Sequence, residues 1–200
     1  MSKMQLTPED IEVMKLDDEN KKHINNFSCK ACIELEKFLK EDAWKEHKSD
    51  FSKTYLFFHK ENLAGYATIL ADKQSFSQSS SPSDQLNRFN EKNLKYKSVP
   101  ALKIGRLCTA DSYNSQLVES KFKGLGTIMF ASILNHAIEL SKKIGCRLLT
   151  THAKKKTNAY IWYKKNGFFF SHNEKRIKNM FASEKQEAIP MFYDIKRIIN

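Results

Sequence analysis

The chain has 200 residues, 40% hydrophobic and 12% aromatic, with six glycines and four prolines. That composition fits a folded domain with a real core and excludes a disordered chain. No run approaches the roughly 20 apolar residues of a membrane span, and the opening Met1-Ser2-Lys3-Met4-Gln5-Leu6-Thr7 has no signal core. A soluble cytoplasmic protein is expected, as one domain over residues 1–200.

The net charge of +11 is uneven. Residues 1–140 carry 20 Lys/Arg against 19 Asp/Glu, whereas residues 141–200 carry 14 against 4. A concentrated positive field attracts phosphate-rich partners, either nucleic acid or a polyanionic cofactor, or else remains a solvated surface. Cys29 and Cys32 form a C-x-x-C, but zinc would need two more ligands at similarly close spacing. Cys108 and Cys146 stand alone in apolar segments, so all four read as reduced structural thiols.

In chain order, Phe27–His47 predicts one helix with Ser28 as its N-cap, its apolar face made by Ile33, Leu35, Phe38, Leu39, Ala43 and Trp44. Lys53–His59 and Leu63–Leu70 read as strands of a hairpin joined by Lys60-Glu61-Asn62. Residues 72–98 change character, with six Ser between Ser75 and Ser83, and read as a surface insertion with a short helix over Leu86–Leu94. A strand follows at Val99–Thr109, then polar residues 110–123. An amphipathic helix is expected from Gly124 to Ile144, with Gly145 as its cap. The remaining elements are a strand at Cys146–Ala153, a short helix at Thr157–Asn166 ended by Gly167, a strand opening at Phe168, and a last strand at Ile189–Ile195. The alternation of strand and helix over 100–170 implies a packed α/β sheet.

The chemistry centres on Lys121-Phe122-Lys123-Gly124-Leu125-Gly126, between a strand and a helix. A helix start leaves backbone N–H groups unpaired and carries partial positive charge. Gly124 and Gly126 let a phosphate approach that backbone, and Lys121 and Lys123 add charge beside it. Alone, the loop is an anion-binding turn or merely a tight one. Downstream, Asn158, Tyr163 and Gly167-Phe168 follow the next strand. Five residues apart, Asn158 and Tyr163 would lie within about 140° of each other on a helix. A phenol there could protonate a leaving thiolate, or simply pack.

Together these residues resemble the GNAT superfamily of N-acetyltransferases. The phosphate loop of that family is Q/R-x-x-G-x-G/A, followed by a helical Asn and Tyr before Gly-Phe. The likeness extends to Phe27-Ser28-Cys29, Leu35, Phe38-Leu39, Ala43, Tyr55, Gly65-Tyr66 and Met191-Phe192-Tyr193-Asp194. It is nearest the subgroup of bacterial toxin acetyltransferases and their non-toxic relatives. The resemblance implies an α/β (α+β) fold with a mixed, mostly antiparallel twisted sheet. Helices would cover both faces, and the central strands near 101–109 and 146–153 would splay apart.

It also implies acetyl-CoA as cosubstrate, with no metal. The backbone of Leu107, Cys108 and Thr109 would pair with the pantetheine arm. The loop Lys121, Phe122, Lys123, Gly124, Leu125, Gly126 and Thr127 would hold the pyrophosphate, Asn158 would contact the cofactor, and Tyr163 would act as general acid. Attack by a primary amine would be direct, so Cys108 is not expected as a nucleophile. The acceptor could be a small molecule, a protein or an aminoacyl-tRNA. A toxin would bring an antitoxin partner, and dimers are common in such families.

Two features depart from the family. Lys121 replaces Gln or Arg, keeping charge but losing planar multidentate geometry. Asp111–Ser120 reads as an insertion between strand and loop. The general base is open among His152, Asp111 and Glu119, and an amine can also enter already deprotonated. A rival reading from another class is a non-catalytic module binding nucleic acid or a protein.

Overall fold

The computed structural model describes residues 2–75 and 98–199. Most of the insertion expected over 72–98, including the helix at Leu86–Leu94, lies outside the described residues. Its two ends are strand. Contacts divide the chain into two compact units, residues 1–70 with 104–135 and residues 71–103 with 136–200. The fold is mixed α/β, with one two-stranded and one seven-stranded sheet.

In the first unit β1 (Met4–Gln5), β2 (Ile11–Lys15), β3 (Lys53–His59) and β4 (Asn62–Ser75) precede β5 (Ser98–Thr109). The strands lie in the order β2-β3-β4-β5. β3 and β4 form the expected hairpin, with a register shift between Phe57 and Phe58. The Ala110 N–H donates to the Ala64 carbonyl at 2.8 Å, and Gly105 abuts Thr68 and Leu70. That descending register makes β4 and β5 antiparallel. Tyr66, Phe27, Leu39, Leu56 and Ile104 are fully buried. The Tyr66 hydroxyl, inside this core, donates to the Leu35 carbonyl at 2.7 Å.

The long helix expected over Phe27–His47 is instead two, α1 (Ile33–Glu41) and α2 (Ala43–Lys48), broken at Asp42. Ser28 does not cap it. The Ser28 hydroxyl donates to the Asp111 carboxylate at 2.9 Å, and Cys32 stands at the N-cap position. A local pattern of apolar spacing cannot register a hydroxyl claimed by a partner 83 residues away.

The last element of this unit is α3 (Leu125–Lys143), which continues into the second. It is preceded by β6 (Phe122–Lys123), paired in parallel with β1. Leu125, Met129, Phe130 and Ile133 are buried along α3. Gly145 does not provide a left-handed cap, since Gly124 and Gly167 are the glycines with positive φ among the described residues.

The second unit contains the end of β4, the start of β5, and β7 (Leu148–Lys154), β8 (Phe169–Phe170) and β9 (Ala188–Asp194), ordered β4-β5-β7-β9-β8. The Arg147 N–H donates to the Pro100 carbonyl, and the Thr150 hydroxyl reaches the Leu102 carbonyl. That rising register makes β5 and β7 parallel. The pairs β7–β9 and β8–β9 are antiparallel. Helices α4 (Ala159–Lys165), α5 (Glu174–Ala182) and α6 (Lys196–Ile199) complete the unit. Val99, Ala101, Leu148 and Phe192 form a core with Phe169 packed against it. Arg147 grips the buried Asp194 carboxylate through two bonds, of 2.6 and 2.8 Å.

Candidate functional site

The glycine loop is built by the first unit. Gly124 has φ +96°, a conformation that L side chains rarely adopt. A Cβ there would lie 2.2 Å from the Gln5 side-chain nitrogen. The Gly124 carbonyl accepts from Thr127 and Ile128, at 3.1 and 3.2 Å, and so starts the hydrogen-bond ladder of α3. The N–H groups of Leu125 and Gly126 precede that ladder, where a helix start presents donors and partial positive charge. The Thr127 N–H, expected among the phosphate donors, is spent on the ladder. The carbonyls of Lys121 and Lys123 are spent too, accepting from Met4 and Leu6 at 3.0 Å each. Phe122 lies in β6, and the Lys121 and Lys123 side chains are exposed on either side of it.

The approach to the loop is ordered by its own bonds. The Lys121 N–H and the Ser120 hydroxyl both donate to the Ser112 carbonyl at 3.0 Å, closing the 112–121 segment at its base. Tyr113 is buried inside this excursion, bonded to His59 at 3.0 Å and stacked on Phe122 at 4.8 Å. The insertion between strand and loop therefore has a packed anchor. Asp111 is no free base, because its carboxylate accepts from Ser28 and from the Lys30 N–H. Glu119 is exposed. A cavity of about 460 Å³ lies beside this segment, lined by His23, Asn26, Asn62, Asp111 and Lys121 among others.

On β5, the bond from Ala110 to Ala64 sets the phase of the backbone. Peptide groups alternate along a strand, so those of Cys108 and Ala110 turn towards β4 while those of Leu107 and Thr109 turn away. The Cys108 thiol is buried against Cys29. The bond its S–H donates to Cys29, then burial, push its pKa far up, and the same bond lowers that of Cys29. A thiol held protonated is a poor nucleophile.

The second unit carries Asn158 and Tyr163. Asn158 is not inside the short helix but at its N-cap, with left-handed φ 53° and an exposed side chain that makes no capping bond. The helical angle expected between Asn158 and Tyr163 therefore does not apply. Tyr163 lies in the C-terminal half of α4 and is buried, with Phe168 and Trp162 edge-on at 4.9 and 5.0 Å. Gly167, at φ +88°, turns the chain after the helix, and the Phe168 N–H donates back to the Tyr163 carbonyl. Burial raises the Tyr163 phenol to about 12, against a hydrogen bond from Thr151 that lowers it. The phenol thus stays protonated at neutral pH.

Thr151 also lines a cavity of about 420 Å³ in this unit, together with Asp72, Lys103, His152 and His172. Thr151 and His172 were not singled out by sequence reasoning. Among the described residues no group of His, Cys, Asp and Glu could hold a metal ion, and no helix is long and apolar enough to cross a membrane.

No family model and no curated protein matches the chain. Solved structures do. A tyrosine-to-phenylalanine mutant of KacT matches with TM-score 0.71 and 21% identity, over 94% of this chain and 97% of its own. AtaT complexed with acetyl-methionyl-tRNAfMet matches with TM-score 0.70 and 21% identity, over 94% and 97%. AtaTR bound with AcCoA matches with TM-score 0.68 and 22% identity, over 95% and 96%. The chain has the GNAT-like fold of these structures. Further matches include a tyrosine-to-phenylalanine mutant of the AtaT toxin bound to acetyl-CoA and the C-terminus of the antitoxin AtaR.

Within this GNAT-like fold the residues divide by unit. Leu107 to Thr109 and the loop Lys121 to Thr127 belong to the first, and Asn158 and Tyr163 to the second. Gln5, which packs over Gly124, lies outside the sequence motif, more than a hundred residues earlier in the chain. Only the β1–β6 pairing discloses it.

Proposed function

We propose that the chain is a cytoplasmic acetyl-CoA-dependent N-acetyltransferase, a single catalytic domain that moves an acetyl group to a primary amine by direct attack. The observation that carries this reading is the turn at Gly124. Its positive φ brings the chain into α3 so that the Leu125 and Gly126 N–H groups lie ahead of the helical ladder, with exposed Lys121 and Lys123 beside them. That is a fitting cradle for a pyrophosphate. In the proposed complex acetyl-CoA supplies the activated acyl group. Leu107 and Thr109, on either side of Cys108, offer it their outward peptide groups, and Asn158 adds its uncommitted amide. Tyr163, protonated and bonded by Thr151, gives its proton to the departing sulfur. The high pKa of Cys108 supports direct transfer without an acyl-enzyme.

For the acceptor, we favour aminoacyl-tRNA, in a toxin held by an antitoxin. This is supported by the excess of 14 Lys/Arg over 4 Asp/Glu in residues 141–200. It is further supported by the likeness to AtaT, solved with acetyl-methionyl-tRNAfMet. Isothermal titration with acetyl-CoA should show one-to-one binding, and the absence of binding at millimolar concentration would end the enzyme reading. Induced expression should arrest growth, and Tyr163→Phe should relieve the arrest. Normal growth with a demonstrably active enzyme would point to another amine.

A further inference from the structure

The proposed reaction has an acid in Tyr163 but no partner to remove the proton of the amine, and two of the three candidates fail. The Asp111 carboxylate is occupied by Ser28 and Lys30, and Glu119 is exposed outside either cavity. His152 stands differently. It is adjacent to Thr151 on β7, about 3.8 Å away between Cα atoms, and the two residues line the same 420 Å³ cavity. Thr151 holds the Tyr163 phenol by a hydrogen bond, and His152 contributes an imidazole to the wall of that cavity. His152 faces Pro190 across the β7–β9 ladder, and its side chain keeps an exposed edge.

We propose that His152 accepts the proton of the incoming amine, and that the cavity it lines is the acceptor site. This rests on the acetyltransferase reading above. As the nitrogen lone pair forms the new C–N bond and the C–S bond breaks, the amine proton passes to the imidazole. The sulfur takes the Tyr163 proton, and solvent restores both residues.

The charged surroundings suit the role. Lys73 and Lys103 reach the cavity from β4 and β5, and His172 from the segment after β8. Asp72, the one carboxylate on the wall among the described residues, is hydrogen-bonded by the Thr150 hydroxyl. Burial first, and Lys103 second, hold His152 below the ordinary histidine pKa, with Asp72 opposing. His172 is lowered by burial, then by Arg176 of α5 and by His152. Neutral imidazoles are proton acceptors, and neighbouring lysines disfavour an ammonium ion, so the wall selects an uncharged amine.

The test uses methionyl-tRNA as acceptor and acetyl-CoA labelled in the acetyl group, with wild type, His152→Gln and His172→Gln. At pH 7 the His152→Gln protein should lose at least tenfold in kcat/KM. The loss should shrink as pH rises towards the pKa of the amine, and added imidazole should restore part of the rate. Acetyl-CoA binding by calorimetry and the melting temperature should match wild type. In histidine-ring NMR, the resonance missing from His152→Gln should titrate below pH 6.5 and move on addition of methionine methyl ester. An unchanged rate and pH profile in His152→Gln, or a loss confined to His172→Gln, overturns the assignment while leaving the acetyltransferase reading intact. A wild type that neither binds acetyl-CoA nor transfers acetyl overturns both.

Discussion

Thr151 of β7 hydrogen-bonds the phenol of Tyr163 on α4, inside a wall of aromatic rings. This contact positions the proposed acid and opposes the effect of burial on its proton. Burial keeps the proton on, and the hydroxyl of Thr151 favours its loss at the moment of transfer. Tyr163→Phe removes the transferable proton and leaves the packing. Its kcat should fall at least a hundredfold, the lower limit of the general-acid range of about 10²–10⁴. Its acetyl-CoA Kd should stay within about twofold, since the pyrophosphate cradle belongs to other residues. Thr151→Val should give a smaller kcat loss, because the phenol survives without its partner. Steady-state rates beside calorimetric Kd values would decide, and an equal loss of affinity and turnover would count against the acid role.

Gly124 makes the opposite prediction, of affinity lost before turnover. Gly124→Ala puts a Cβ on a backbone at φ +96° and into the side chain of Gln5. The left-handed conformation alone costs about 1–2 kcal/mol, and the loop can escape only by moving its N–H groups. Acetyl-CoA should bind at least tenfold more weakly. The double variant with Gln5→Ala relieves the clash but not the φ strain, so it should recover only part of that loss.

Cys108 offers a clean negative. Its thiol is buried and held protonated by Cys29 and by burial, so it should form no thioester. Intact-mass measurement after incubation with acetyl-CoA should find the protein unmodified. Cys108→Ala should retain most of the activity, with some loss of stability from the vacated volume. An acetylated wild type that is unmodified in Cys108→Ala would replace direct attack with a covalent intermediate.

The parts of this fold that could be read from sequence are those whose cause is local. The β3–β4 hairpin, β5, α3, β7 and β9 each carry a run of apolar or β-branched residues long enough to display a period, and all five are present with bounds close to those expected, save that β4 runs past Leu70 to Ser75. What could not be read was decided at a distance. β1 has two residues and exists because Phe122–Lys123 pairs with it. β2 buries only Ile11 and so shows no alternation. α5 has the residues Glu-Lys-Arg-Ile-Lys-Asn-Met-Phe-Ala, in which only Ile177 is buried, and its Asn173 cap was hidden in polar sequence. The candidate site divides the same way. Gly124 and Gly126 were legible because glycine has few reasons to stand there, whereas the spent Thr127 N–H, the capping position of Asn158 and the bond from Thr151 depend on where other segments fall.

The second unit should depend on Arg147 for stability, not for chemistry. Its two bonds to Asp194 join the start of β7 to the end of β9, and the Asp194 side chain is only 5% exposed. Arg147→Ala strands a buried carboxylate, which typically costs about 3–5 kcal/mol. The melting temperature should drop by roughly 10 °C on the usual scaling for a chain of this size. The paired replacement Arg147→Met with Asp194→Leu should recover much of that loss, since the penalty lies in the unpaired charge. If Arg147→Ala melts with wild type, solvent already screens the pair.

His47 supplies the pH dependence of folding. It is buried on α2, and its Nδ1 accepts the Thr54 N–H at 3.0 Å, so that nitrogen must be unprotonated in the folded chain. Burial first, then Lys53, lower its pKa below the ordinary 6.5. A histidine whose folded pKa is depressed binds its proton more readily when unfolded, so acid favours unfolding. Its contribution is fully present above about pH 6.5, the unfolded value. It is lost progressively as pH falls below that value towards the folded pKa. The melting temperature should therefore decline between pH 7 and pH 5. His47→Gln, whose amide oxygen can accept from Thr54 without titrating, should flatten that part of the curve while lowering stability slightly at pH 7. His136, His152 and His172 are also depressed by burial and will leave a residual slope. A His47→Gln curve parallel to wild type across this range would mean that the Thr54 bond does not couple folding to protonation.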